Sequence, residues 1–365
     1  MSVVVLKFGG SSLATPEQIK AVALRIADLH RKQKKIIVVT SAMGKTTDQL
    51  TELAHRVSAR PLRREFDMLL TTGERVSMAL LAIALNDIGC PAISFTGSQA
   101  GIMTDGQFCD AKITEIKPLR VESALNEERV VILAGFQGVD PVSKEITTLG
   151  RGGSDTTALA MAAHFKATRC EILKDVDGVF NADPSLIPTA QLIPQISIQA
   201  LYEFCFWGAK VINYHAVDWA KKYQVPLSIG RSDSFKIGTT ITYQNSKSNS
   251  VDALLGVNSH KLALEISVTG VDLKESLNTF QQIFAESDLA EPQILMTEHS
   301  SGVTKIVFAT QEAQKGNTID ALTNSAKVKI LRKDISTVTA TYENSRSVTQ
   351  IVPASERVAC IKSFF

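Results

Sequence analysis

The chain has 365 residues, 44% of them hydrophobic and 21% charged, and its charges nearly cancel at a formal net +2. That balance, with no basic run interleaved with aromatics, excludes a nucleic-acid-binding surface of the usual kind, while the length allows a major domain plus a smaller one. The densest apolar stretch, Met78–Leu85, is too short to span a bilayer, and Met1–Leu6 is interrupted by Lys7 before a signal-peptide core can form; a cytoplasmic protein is expected.

In chain order, Val3–Phe8 is β-branched and apolar, a buried strand ending in Gly9-Gly10-Ser11-Ser12. After Thr15-Pro16, apolar residues at Ile19, Val22, Ala23, Ile26 and Leu29 predict a helix to about Arg31, and Lys34–Val39 is a second buried strand. This βαβ rhythm of a parallel sheet covered by helices recurs. Met68–Ile88 reads as helix, Ala92–Phe95 and Val130–Leu133 as strands, Thr156–Phe165 as helix and Ala167–Leu173 as strand. Helices near Ile198–Phe204 and Ala209–Lys222 and a strand at Pro226–Ile229 follow. Ligands of such sheets sit beyond the carboxyl ends of the strands, so the loops after Phe8, Val39, Phe95, Leu133 and Leu173 are expected on one edge. Tyr243–Ser250 is a polar break in composition. Beyond it, strand Leu262–Val268, helix Leu273–Phe284, strands Gln293–Thr297 and Thr304–Thr310, helix Ile319–Asn324 and strand Val328–Leu331 spell the β-α-β-β-α-β order of a ferredoxin-like unit. Two further strands, Ser336–Thr341 and Val348–Val352, are too few for a second unit. The five cysteines are scattered without a C-x-x-C pair, as reduced thiols are, and the six histidines lack metal-ligand spacing, so no zinc site is expected.

The loop edge carries the chemistry. In Thr147–Ala158 (TTLGRGGSDTTA), Gly150, Gly152 and Gly153 surround Arg151 and lead through Ser154 and Asp155, both good N-caps, into a helix. Free N–H groups and the dipole make such a start a plausible anion cradle. Gly44-Lys45-Thr46 lacks the upstream glycine of a P-loop, and Gly150-Arg151-Gly152 lacks the third glycine of a Rossmann turn.

A third pattern fits along the chain: Lys7-Phe8-Gly9-Gly10-Ser11-Ser12, Ser41–Asp48 (SAMGKTTD), Thr72-Gly73-Glu74, Phe95-Thr96-Gly97, Ala134–Gly138 (AGFQG), Gly150–Ala158, Asp175–Val179 (DVDGV), Ala182-Asp183-Pro184 and Gly208–Val211 (GAKV). With these motifs the chain resembles the aspartokinases of the amino-acid kinase family over residues 2 to 243, and its tail resembles a shortened ACT regulatory region. The resemblance implies a three-layer αβα catalytic domain with a mostly parallel sheet over residues 1–243, a linker over 244–257, and an ACT-like region over 258–365 that helps build a homodimer. It further implies transfer of the ATP γ-phosphate, with Mg²⁺ carried by the nucleotide, to the side-chain carboxylate of L-aspartate. That nucleophile has a reference pKa of about 3.9 and needs no general base, so positioning and charge neutralisation are the work left to the protein.

In this resemblance Lys7 touches the β/γ-phosphates beside Phe8, Gly9, Gly10 and Ser11, Asp155 orients the lysines, and Lys210 with Val211 forms a second phosphate contact. Arg151 grips the substrate α-carboxylate and Glu74 its ammonium group, with Ser41, Thr47 and Ser154 completing the pocket. Helix capping is the rival reading for Glu74, Ser41, Thr47 and Asp155. Lys174, Asp175, Phe180, Asp183 and Ser185 form the nucleotide loop, in which Lys174, Phe180 and Ser185 replace the threonine, tyrosine and arginine usual in the family; Asn213-Tyr214 replaces His-Pro. Lys174 can stand in for the missing cation if it reaches the phosphates. The alternatives left open are a kinase for another small acid such as glutamate and a non-catalytic amino-acid-sensing paralogue.

Overall fold

The computed structural model describes residues 2–33, 35–243, 253–287, 289, 292–310 and 315–365. The first part of the chain runs β1 (Val3–Phe8), α1 (Pro16–Lys32), β2 (Lys35–Thr40), α2 (Thr46–Val57), α3 (Arg63–Asp87), β3 (Ala92–Phe95), β4 (Ile102–Thr104), β5 (Ile113–Ile116), α4 (Leu119–Asn126), β6 (Val130–Ala134), β7 (Gln137–Val139), β8 (Ile146–Thr148), α5 (Gly153–His164) and β9 (Arg169–Lys174). It continues through β10 (Gln195–Ser197), α6 (Ile198–Phe206), α7 (Tyr214–Tyr223), β11 (Leu227–Arg231) and β12 (Ile237–Thr242). The remainder is β13 (Leu254–Thr269), α8 (Leu273–Glu286), β14 (Gln293–Ser300), β15 (Val303–Ala309), α9 (Lys315–Thr323), β16 (Val328–Tyr342), β17 (Ser347–Pro353) and α10 (Arg357–Lys362). The chain divides into two compact units, the second of which takes 181–191 and 206–209 as well as the residues from 247 onward.

Among the described residues the first unit is built on an eight-stranded sheet in the order β10-β12-β11-β9-β1-β2-β6-β3. β1, β2, β3, β6, β9 and β11 are mutually parallel, so their carboxyl ends share one edge as expected from the βαβ rhythm. Side chains alternate along β1: Val4, Leu6 and Phe8 join Ile19, Val22 and Ile26 of α1 and Leu81 and Leu85 of α3 in one continuous core. Lys7, one residue out of phase, points to the opposite face, which α5 covers. Helices on both faces make the αβα sandwich. A four-stranded sheet, β5-β4-β7-β8, stands beside it.

Two sequence-level boundaries shift. α3 begins at Arg63 rather than Met68, and its 25 residues are long and apolar enough by composition alone to cross a bilayer. It is nevertheless a core helix, with Leu81 and Leu85 fully covered and Asp67 and Glu74 buried along it. The helix expected from Ala209 begins at Tyr214, where the Asn213 side chain accepts the His215 N–H at 2.9 Å and caps it. Lys210 and Val211 therefore lie in a loop.

The second unit carries an antiparallel sheet ordered β14-β15-β13-β16-β17. β13, α8, β14, β15, α9 and β16 follow the β-α-β-β-α-β path, and the order β14-β15-β13-β16 is that of a ferredoxin-like fold. β13 is a 16-residue strand from Leu254, so 254–257, read as linker, is already sheet; 244–252 lies outside the described residues. The expected strands at Val328 and Ser336 are one strand, β16, whose far half carries β17. Phe280, Phe284 and Phe308 meet under the sheet with ring centroids 4.9–5.9 Å apart. Phe280→Ala leaves a cavity in that cluster and should cost about 3–5 kcal/mol, measured by chemical denaturation.

Candidate active site

The site is assembled where β1 and β9 end side by side. In register, Lys7 lies opposite Ile172 and Phe8 opposite Leu173, so the loops after Phe8 and Leu173 leave the sheet together. The Gly9 N–H donates to Leu173 O at 3.2 Å, and the Gly44 N–H to Gly10 O at 2.9 Å, drawing the loop after β2 against the first. A Cβ on Gly10 would stand 2.5 Å from Ala42 O, so only glycine allows this approach. Ser12 follows, its hydroxyl buried and without a protein partner.

Across this edge runs the first turn of α5. Its N-cap is Gly152 in the left-handed region (φ 69°), not Ser154 or Asp155 as their side chains suggest. The backbone turns sharply through Gly150 (φ 67°), which puts Ser154 and Asp155 inside the helix and frees their side chains for the site. A Cβ on Gly152 would fall 2.0 Å from Asn213 Cβ, so the glycine also admits the segment before α7. Asp155 is buried, and its Oδ1 forms an ion pair with Lys7 Nζ at 2.6 Å. Burial alone would raise the Asp155 carboxyl; Lys7, Lys174 and the Asn213 N–H outweigh it and hold the group ionised below the usual carboxylate range.

Glu74 lies on the inner face of α3 with 3% of its surface exposed. Its Oε1 accepts the Ala42 N–H at 3.1 Å, while Oε2 is buried with no protein donor. Burial pushes its pKa up to about 7 against the opposing pull of Ala42 N–H and Lys7. A buried carboxylate oxygen without a donor is suited to receive a cationic group from a ligand. Ser41 and Thr47 are half-buried in the adjoining loop and the first turn of α2. Arg151 sits at the tip of the β8–α5 turn with Asp48 of α2 as its charge neighbour; partial burial draws its pKa down.

The remaining expected residues are placed as follows. Lys174 ends β9, its Cγ against Gly9. Asp175 is exposed at the start of a loop that Thr239 anchors by accepting the Val179 N–H at 2.9 Å, and Phe180 bridges to Leu192. Lys210 is exposed and Val211 half-buried in the loop before α7. Asp183 and Ser185 belong to the second unit, where Asp183 accepts both the backbone N–H and the hydroxyl of Ser185 at 2.9 and 2.6 Å.

Two supporting residues escaped the sequence reading. Asp67, fully buried, accepts the N–H groups of Cys109 and Thr148 and the Thr148 hydroxyl at 2.7–2.9 Å, fixing the chain just before Arg151. Gln137 donates to Thr71 O at 3.1 Å. The signal lay in α3: Asp67, Thr71, Glu74 and Ser77 fall on one helical stripe, and a buried polar stripe marks a functional face. No group of three His, Cys, Asp or Glu able to hold a metal occurs among the described residues.

Residues 2–231 match the family model for the amino acid kinase family. The chain is 40% identical to the aspartokinase of Mycolicibacterium smegmatis over 98% of its own length and 84% of that protein's, and 42% identical to that of Corynebacterium glutamicum over 84% and 74%. Its fold is similar to E. coli aspartokinase III in complex with aspartate and ADP (TM-score 0.79, 20% identity, 98% of each chain) and to aspartate kinase from Synechocystis (TM-score 0.60, 32% identity, 100% of this chain and 69% of that one). The chain belongs to the amino acid kinase family and, within it, to the aspartokinases.

The raised pKa of Glu74 makes a stability prediction. Its unfolded value is near 4.5 and its folded value about 7, so ionising it opposes folding. The penalty grows between these pH values and is constant above them. Glu74→Gln keeps an acceptor for Ala42 and removes the charge; it should leave stability unchanged at pH 4 and raise it by about 3 kcal/mol at pH 8, read from denaturant midpoints.

Proposed function

We propose that this chain is an active aspartate kinase: it transfers the γ-phosphoryl group of ATP to the side-chain carboxylate of L-aspartate, giving 4-phospho-L-aspartate and ADP. This is the entry step to lysine, threonine and methionine synthesis. The observation that carries the reading is the buried Lys7–Asp155 pair beside the Gly9-Gly10 loop, set opposite a buried carboxylate with a free oxygen in Glu74, in a chain of aspartokinase ancestry.

The two halves of the site divide the labour. Lys7 and the N–H groups of Gly10 and Ser11 neutralise the phosphates, while the Gly9 N–H ties the loop to Leu173, and Asp155 holds Lys7 in place so that no reorganisation is needed during transfer. Arg151 offers a two-pronged grip for the α-carboxylate and Glu74 receives the ammonium group, with Ser41, Thr47 and Ser154 around them. The substrate carboxylate is already ionised at neutral pH and attacks phosphorus without surrendering a proton, so the reaction asks for no general base. Asp175, Phe180, Lys210 and Val211 complete the nucleotide contacts that the first unit offers. Mg²⁺ bound with ATP supplies further neutralisation of the phosphate oxygens.

We assign catalysis to the first unit and an ACT-like regulatory role to the second, with a homodimer formed through that region. Its outer strand β14 leaves one side of a backbone ladder open for pairing. The aspartokinase relatives support a soluble enzyme, and we place it in the cytoplasm.

Trapping the acyl phosphate with hydroxylamine tests the reaction. Purified protein with Mg-ATP and L-aspartate should yield aspartyl hydroxamate, and Lys7→Ala should lower the rate by at least about a hundred-fold, as expected for loss of a buried charge that stabilises the transferring group. No product from wild-type protein that still binds ATP and aspartate by calorimetry would instead identify a sensor that has kept the fold without the reaction.

A further inference from the structure

The cluster at the end of β1 and β9 brings two lysines toward one buried carboxylate. Lys7 and Lys174 come from adjacent parallel strands, and both act on the single buried carboxylate of Asp155. Asp175, which also bears on Lys174, is exposed, and Glu74, which bears on Lys7, is drawn toward its neutral form by burial. Burial and the neighbouring Lys7 together pull Lys174 below the usual lysine range, the direction expected of a cation short of a partner. A half-buried cation in such a place is suited to an anionic ligand.

The geometry says where that anion comes from. The Lys174 stem lies along Gly9, 3.8 Å from the place a Cβ would take and beside Ser11 Oγ at 3.9 Å from the same point. Its stem thus runs beside the loop after β1, the loop that Lys7 precedes in the chain. Lys210, in contrast, is exposed in a loop.

We propose that Lys174 is a second phosphate-binding cation of this site, sharing Asp155 with Lys7, so that the nucleotide phosphates are held between two lysines fixed on neighbouring strands. This rests on the kinase reading and deepens it. The phosphates then lie against two lysines that the sheet holds side by side. Because Lys174 acts on the nucleotide, aspartate binding should not depend on it.

Calorimetry of the full chain with Mg-ADP and with adenosine tests this. Lys174→Met and Lys174→Thr should each weaken Mg-ADP about ten- to hundred-fold, the loss expected for one charge-assisted hydrogen bond, while the calorimetric Kd values for adenosine and for aspartate stay as in wild type. Lys174→Arg should keep most of the Mg-ADP affinity. Unchanged Mg-ADP binding by the methionine variant, or an equal loss for adenosine, would overturn the proposal. A measurement on the wild-type chain guards against variants that fail to fold: reductive methylation read by mass spectrometry should modify Lys174 in the presence of adenosine and spare it with Mg-ADP, and equal modification in both would also overturn it. These readouts do not require turnover, so a chain that binds Mg-ADP through Lys174 but makes no aspartyl hydroxamate would sink the kinase reading alone.

Discussion

The buried ion pair between Lys7 and Asp155 is the constraint around which the first unit is arranged. Neither charge could be buried alone: removing one partner of such a pair typically costs about 3–5 kcal/mol. The pair binds the central strand β1 to the first turn of α5. It therefore fixes the β8–α5 turn, which carries Arg151, against the loop after β1. The glycines at 10, 150 and 152 follow from this arrangement, because each lets backbone approach or turn where a side chain would collide.

A pair of buried carboxylates lies on α3. Asp67 and Glu74 lie two helical turns apart on α3. Asp67 is fully satisfied by Cys109 and Thr148 and so acts as a structural clamp. Glu74 keeps one oxygen free and so is kept ready for a ligand. Two acids on the same helix face thus differ in whether protein donors reach both of their oxygens.

The second unit obeys a simpler logic. Its core is aromatic and aliphatic, with Phe280, Phe284 and Phe308 packed under an antiparallel sheet. Two long strands, β13 and β16, span the ferredoxin-like part and continue beyond it, where β17 joins.

Sequence alone determined the alternation of strands and helices through β1, α1, β2, β6 and β9, because apolar periodicity is set locally and each of these elements is buried on at least one face. It also supplied Lys7, Glu74, Arg151 and Asp155 as chemistry, through their motifs. Short elements such as β4, β5, β7 and β8 were not legible, since three or four residues carry too little periodicity, and α7 was misread because Asn213, not the apolar pattern, starts it. Tertiary structure decided the rest: that Gly152 and not Ser154 or Asp155 caps α5, that Asp67 clamps the turn before Arg151, and that the Lys174 stem lies beside the loop that follows Lys7. Each of these depends on contacts between residues distant along the chain, and on which groups lose their water when the chain folds, neither of which is encoded in any local stretch.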